Sequence, residues 1–358
     1  MWRNTEVSRR LQLRAPIIQG PFGSGLSSLA LTSAVSQAGG LGSFGVHHLH
    51  GEAILQTAAA IRASTAKPFA LNLWLPHPSE QRELDEAQFA ATLALFRPYF
   101  EELDLALPSR PTIDWPSYEE QLEAVLQARP AVFSFVYGVP SSEVLEQCRA
   151  RDILTLGTAT TVAEAQALEA AGVDMLVVSG CEAGGHRVAF LQPAEEGLIG
   201  SLALIPQVVD AVRIPVIAAG GIADGRGIAA ALCLGAQGVQ IGTAFLACCE
   251  SGASELHRQA LFSPQARHTA LTRAFSGRLA RGIRNPLLEA LAAHQAQLPG
   301  YPAQGWFAST LKPAALAQHR DDLLALWCGQ AAPLLRQRGA LELWHSLLEQ
   351  TDSLLGPE

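Results

Sequence analysis

Residues 172–187 read G-V-D-M-L-V-V-S-G-C-E-A-G-G-H-R. Met175–Ser179 is a short, apolar, β-branched run, the pattern of a parallel strand buried on both faces. It empties into Gly180, Gly184 and Gly185, with Glu182, His186 and Arg187 among them. Glycines directly after a buried strand let the backbone take φ > 0 or approach a ligand closely. A histidine held there is placed to titrate near neutral pH. An ordinary strand-to-helix loop, its histidine merely a cap, would carry the same letters.

Outward from this stretch a β-then-α rhythm repeats. Upstream, Ala15–Gln19, Leu41–Phe44 and Phe69–Leu73 read as strands, separated by helical segments Ser27–Gln37 and Glu52–Ala63. The rhythm resumes with strands Val132–Phe135 and Leu154–Leu156 around a helical Ser141–Arg149. Helix Thr161–Ala171, capped by Thr160 or Thr161, leads into the central strand. Downstream come helix Leu202–Val212, strand Val216–Ala219, helix Gly225–Leu234 and strand Val239–Ile241. Eight such units predict an α/β fold, a closed TIM (β/α)8 barrel, with an open doubly wound sheet as the alternative. Residues 76–130 break the rhythm with polar helical patches and prolines, and read as a helical insertion after strand 3. The barrel is expected over residues 1–250. Residues 251–358 read as a helical C-terminal extension, packed with the insertion over the barrel mouth.

Composition narrows the function classes. Of 358 residues 49% are hydrophobic and 16% charged, which argues for a packed core and against disorder. Net charge is −8 with no run of Lys or Arg, so nucleic acid is not an expected partner. The start, M-W-R-N-T-E-V-S-R-R, shows no apolar secretory core. Gly227 to Cys249 carries no charge and could span a bilayer, but Gly235, Gln237, Gly238, Gln240 and Gly242 divide it into helix, turn and strand; no membrane partner is expected. Six cysteines without C-x-x-C spacing fit free thiols in a reducing cytoplasm. His47, His48 and His50 lack the spacing of a ligand set and read as an exposed loop, so no metal is expected. Cys181 lacks an oriented base, and Cys248 and Cys249 read as core.

Active sites of such barrels lie at the C-terminal strand ends. Those ends are Gln19-Gly20, Asn72, Gly138, Ser179-Gly180 with Gly184-Gly185-His186, Gly220-Gly221 and Gly242-Thr243. The last two strands end in A-A-G-G-I and Q-I-G-T, where barrels commonly bind phosphate through backbone N–H groups. Two tight turns with nothing bound are the alternative. Gly40-Leu-Gly-Ser-Phe-Gly45 matches G-x-G-x-x-G literally, but it follows a helix and has no acidic residue some 20 positions on, so it is not expected to bind a dinucleotide.

Taken together, S-G-C-E-A-G-G-H-R (179–187), P-V-I-A-A-G-G-I-A-D-G-R-G (215–227) and G-A-Q-G-V-Q-I-G-T-A-F-L (235–246) resemble the nitronate monooxygenases, flavoenzymes formerly called 2-nitropropane dioxygenases. A-P-I-I-Q-G-P-F (15–22), L-N-L-W (71–74), S-F-V-Y-G-V-P (134–140), L-T-R-A-F-S-G-R-L-A-R-G-I-R-N (271–285) and L-W-C-G-Q (326–330) extend the likeness over nearly the whole chain. The resemblance implies a barrel holding FMN and an oxidation of alkyl nitronates, with nitroalkanes as further substrates, by dioxygen to carbonyl compounds and nitrite. Joined to the strand ends, it implies FMN contacts from Gln19, Gly20, Asn72, Ser179, Gly180, Gly184, Gly185, Gly220, Gly221, Gln240, Ile241, Gly242 and Thr243. Ser179 stands where relatives often carry glutamine, and G-H-R-V replaces the more usual G-H-R-G. His186 matches the catalytic histidine, as a base for the α-proton or as an imidazolium holding the nitro oxygens. Tyr301 and Lys312 are expected to add polar contacts to substrate from the tail. The rivals are an FMN-dependent enoyl-acyl carrier protein reductase using NAD(P)H, which shares E-A-G-G-H, and a flavin-binding barrel without catalysis. The sequence leaves the oligomeric state open.

Overall fold

Alternation within each strand sends every second side chain into a closed ring. The computed structural model describes residues 2–111 and 115–356; residues 112–114 of the expected insertion lie outside them. β1 (Ile17–Gln19), β2 (Gly42–Gly45), β3 (Phe69–Trp74), β4 (Val132–Val136), β5 (Leu154–Ala159), β6 (Met175–Ser179), β8 (Val216–Ala219) and β9 (Gly238–Ile241) form one parallel sheet, while the two-residue β7 (Gly185–His186) stands apart. β1 pairs with β9. A bridge from Ile18 to Leu41, with the Gln19 N–H donating to the Leu41 carbonyl at 2.9 Å, closes β1 onto β2. The sheet is therefore a TIM barrel, and the open doubly wound alternative falls.

Inside the ring, Ile18, Ala70, Val132, Leu156, Met175, Val177 and Ile217 pack into one apolar plug. A helix that the sequence reading did not anticipate, Glu6–Leu11, closes the lower end with Val7 and Leu11; Thr5 caps it by accepting from the Ser8 N–H. Only the C-terminal ends of the strands stay open. The uncharged stretch 227–249 resolves into helix Gly225–Cys233, β9 and helix Thr243–Leu246. Among the described residues no helix is long and apolar enough to cross a membrane.

Two helices expected over the mouth stand instead in the outer ring. Tyr118–Ala128 packs on helix Gly51–Ser64 and on β3, where a barrel helix belongs. The last helix, Ala340–Leu355, packs between helices Gly225–Cys233 and Leu29–Ala38. The four-residue helix after β9 is too short to cover that flank, and the stripe Leu343, Trp344, Leu347 and Leu348 fills it. The extension is also not wholly helical: β10 (Thr269–Thr272) and β11 (Ala280–Ile283) form an antiparallel pair, and β11 pairs in turn with β7. Over the mouth itself, insertion and extension meet where the Gln81 N–H donates to the Tyr301 carbonyl at 2.6 Å and the Gly300 N–H to Gln81 Oε1 at 2.9 Å.

Candidate active site

The strand ends surround a cavity of roughly 1400 Å3, its open mouth included. Strand parity decides what lines it. On β3 the inward series Ala70, Asn72, Trp74 climbs from the plug to the mouth; on β4 it is Val132, Ser134, Val136. Thr158, Val177, Ser179, Ala219 and Gln240 reach the cavity in the same way from the remaining strands. The Asn72 Nδ2 donates to Ser134 Oγ at 3.0 Å, which fixes the amide at the floor.

Most of the expected residues come together here: Gly20, Asn72, Ser179, Gly184, Gly185, His186, Gly220, Gly221, Gln240, Gly242 and Thr243 all line the cavity. Gln19, Gly180 and Ile241 do not. Gln19 and Ile241 have the opposite parity to Ile18 and Gln240. Gln19 is buried outside the ring, where its Oε1 accepts from the Ser43 N–H at 3.0 Å, and Ile241 belongs to the outer core. Gly180 turns its carbonyl to Arg187 Nη1 at 2.7 Å. Lys312 is exposed on helix Ala303–Ala317, away from the cavity. Tyr301 lies behind the wall, in a side pocket with Trp74, His47 and Glu80. Phe22, Trp74, Ser134, Val136, Thr158 and Trp327 line the cavity and were missed. Parity alone would have found the four on strands.

The glycines at the ends of β8 and β9 form a cradle. Gly220 and Gly221 have φ of +99° and +73°, left-handed values that favour glycine. A Cβ on Gly242 would meet only the Phe22 ring, at 3.9 Å, so the room it would take is open. A cradle that a side chain would fill, with amides around it, suits a phosphate dianion. In contrast, the glycines of the G-x-G-x-x-G match serve packing: a Cβ on Gly42 would lie 2.0 Å from the Thr32 carbonyl oxygen, and one on Gly45 2.2 Å from that of Phe22.

His186 sits on β7, held by pairing with Ala280, with its Nε2 2.7 Å from Ser276 Oγ. Desolvation, and then the charge of Arg278, push its pKa down to about 3, which favours the neutral imidazole of the two expected forms. Trp74, Trp327 and Tyr301 surround it with ring centroids at 4.8, 5.1 and 6.3 Å. The histidine loop departs from expectation too. His47 is buried and stacks on Trp74 at 3.9 Å, in space left by Gly23; His48 is half-buried, and only His50 is exposed, beside Glu120. Burial holds His47 well below the usual histidine value, with His48, His186 and Arg278 adding to the effect. Arg187 ties the loop down: its Nη1 donates to the Ser179 and Gly180 carbonyls and its Nη2 to that of Gly197, while its Nε is buried without a hydrogen-bond partner. Of the paired cysteines, Cys248 is core but Cys249 is exposed. Among the described residues no group of three or more His, Cys, Asp or Glu gathers to hold a metal ion.

A closed parallel barrel with glycine turns at its last two strand ends and a loop histidine over the mouth defines a TIM-barrel protein with its candidate site at the C-terminal strand ends. The family follows from comparison: the nitronate monooxygenase family model matches residues 5–350, and the chain belongs to that flavin-dependent family of oxidoreductases. It is 38% identical to a probable nitronate monooxygenase of Staphylococcus haemolyticus (strain JCSC1435), over 99% of both chains. Among solved structures it superposes on nitroalkane oxidase from Streptomyces ansochromogenes with TM-score 0.86 and 36% identity, covering 97% of this chain and 98% of that one. FabK from Thermotoga maritima superposes with TM-score 0.76 at 25% identity, over 98% and 97%.

Proposed function

We propose that this chain uses FMN and dioxygen to oxidise alkyl nitronates to carbonyl compounds and nitrite. The observation that carries the reading is the set of glycine turns at Gly220-Gly221 and Gly242, with open room at Gly242, beside a cavity whose wall holds His186. Gly220, Gly221, Gly242 and Thr243 would hold the FMN phosphate, and Asn72, Ser179 and Gln240 would face the ring system. Bound FMN supplies the redox chemistry. The protein's share is to orient the substrate carbon, exclude water and offer one imidazole. Trp74, Val136, Val188 and Trp327 make an apolar wall fit for a short alkyl group.

An imidazole held near pKa 3 is a weak base toward a carbon acid. This favours a substrate that arrives already ionised, a nitronate rather than a neutral nitroalkane. His186 then acts by hydrogen bonding and positioning. The test is oxygen uptake and nitrite release with each ionisation form of one nitroalkane, parent against His186→Ala. The nitronate should be the better substrate of the parent, and His186→Ala should lower its kcat/KM by about 10²-fold, the low end of the range for losing one hydrogen-bond donor to a developing charge. Failure of the parent to consume oxygen with nitronate, joined to fast flavin bleaching by NAD(P)H under anaerobic conditions, would overturn this reading in favour of the reductase.

A further inference from the structure

A neutral imidazole carries its proton on one ring nitrogen or the other. Which nitrogen holds it decides whether His186 offers the cavity a hydrogen-bond donor or a lone pair. One hairpin of the tail grips both the main chain and the ring of this residue. Its strand β11 pairs Ala280 with His186, and the Arg187 N–H donates to the Leu279 carbonyl at 2.9 Å. The turn before β11 brings Ser276 Oγ to 2.7 Å from His186 Nε2. That turn is itself held fast. Ser276 is buried, the Gly277 N–H donates to the Arg273 carbonyl at 2.8 Å, and Gln304 Nε2 donates to the Ala274 carbonyl at 2.6 Å. Gly277 has φ +89°, and a Cβ on it would lie 2.5 Å from the Tyr301 N, so the turn is packed tightly on the segment behind it.

The serine hydroxyl has one proton to give, and its neighbours decide where it goes. Its other acceptor, the Arg278 carbonyl, is 3.4 Å away, and the Arg278 N–H reaches Oγ only at 3.4 Å. Both contacts are long, whereas the contact with Nε2 has the ordinary length for an O–H donor. Were the ring proton on Nε2, it would point at Oγ, and the buried O–H would be left with the distant carbonyl. A buried donor without a good acceptor is costly. The reverse arrangement serves every group: the O–H donates to Nε2, and Oγ takes the weak Arg278 N–H.

We propose that Ser276 is a positioning residue that holds the His186 proton on Nδ1, so that the ring presents an N–H donor to the cavity. Nδ1 has no hydrogen-bond partner among the described residues, and the half-buried ring lines the cavity. A donor there selects an acceptor oxygen that brings no proton of its own, which on the reading above is an oxygen of the nitronate. A carbon acid finds no lone pair on this ring to take its proton. The choice of occupant rests on the proposed function, but the tautomer does not.

Proton–nitrogen NMR of flavin-loaded protein, labelled with 15N at histidine, reads the tautomer directly, the His186 signals being assigned by their loss in His186→Ala. The parent should show a protonated Nδ1 and a bare Nε2. Ser276→Ala should lose that preference and move toward the Nε2–H form that free histidine favours. Ser276→Thr keeps the hydroxyl and should keep the Nδ1–H form. With nitronate as substrate, Ser276→Ala should lower kcat/KM about 2- to 12-fold, the worth of one neutral hydrogen bond, and Ser276→Thr should lose less. A bare Nδ1 in the parent, an unchanged Nδ1–H form in Ser276→Ala, or an equal loss of that form in both variants would each overturn the assignment. A parent that shows the Nδ1–H form and does not oxidise nitronate would overturn the proposed function and leave the role of Ser276 standing.

Discussion

Gly242→Ala separates the cofactor cradle from the fold. Gly242 has φ −96° and ψ −77°, on the right-handed side that alanine also adopts. A Cβ there meets no protein atom closer than the Phe22 ring at 3.9 Å. The folded protein should therefore accept the methyl without a clash. The unfolded chain loses freedom, so the flavin-free variant should be as stable as its parent or more so by about 0.4–1 kcal/mol. On the proposed reading the FMN phosphate has no such tolerance, because the methyl would take the space through which it would meet the amides. Losing one charge-assisted hydrogen bond costs about 1.5–3 kcal/mol, or roughly 10- to 150-fold in FMN affinity. A 100-fold weaker site forfeits about 2.7 kcal/mol of ligand stabilisation at fixed FMN. The assay is FMN fluorescence quenching on titration into flavin-free protein, with melting curves run with and without FMN. An affinity within about 3-fold of the parent's would remove the phosphate from this cradle. Gly221 is a poorer probe, since its φ of +73° adds backbone strain of about 1–2 kcal/mol to any substitution.

Two further outcomes follow from burial and close approach. Gly184→Ala puts a Cβ 2.5 Å from the Gly329 N and 2.6 Å from the Cys328 carbonyl carbon, both backbone. It should cost about 1–3 kcal/mol of stability, seen as a lower melting temperature even without flavin, and an unchanged melt would contradict the packing of the 327–329 segment on the histidine loop. Buried His47 and His257 and the half-buried His186 all lie below the ordinary histidine value, His186 at about 3 and His257 at about 4. The unfolded chain binds protons these side chains refuse when folded, so stability should rise with pH from about 4 to about 6.5 and level off above, by up to roughly 1.4 kcal/mol per pH unit per histidine. Urea midpoints independent of pH across that window would refute the neutral assignment.

The barrel was legible because its signal is local. A buried strand announces itself in four or five letters, and the glycines after β6, β8 and β9 mark their turns without help from distant residues. The same period of 2 also carried more than was taken from it: once Ile18 and Ala70 face inward, Gln19 must face out, and Asn72 and Trp74 must rise toward the mouth. What stayed hidden depends on partners far along the chain. The letters 47–50 look exposed until Gly23 leaves room for His47 to lie on Trp74. The tail looks helical until β11 finds β7, more than 90 residues upstream, and fixes His186 through Ala280. Arg278 shows the limit most clearly. In the sequence it is one basic residue in a run with Arg273 and Arg281, whereas in the fold those two find partners, Glu195 and the Cys181 carbonyl among them. Only Arg278 among the three carries two buried donors without an acceptor, a distinction that rests on three-dimensional neighbours and that no spacing along the chain encodes.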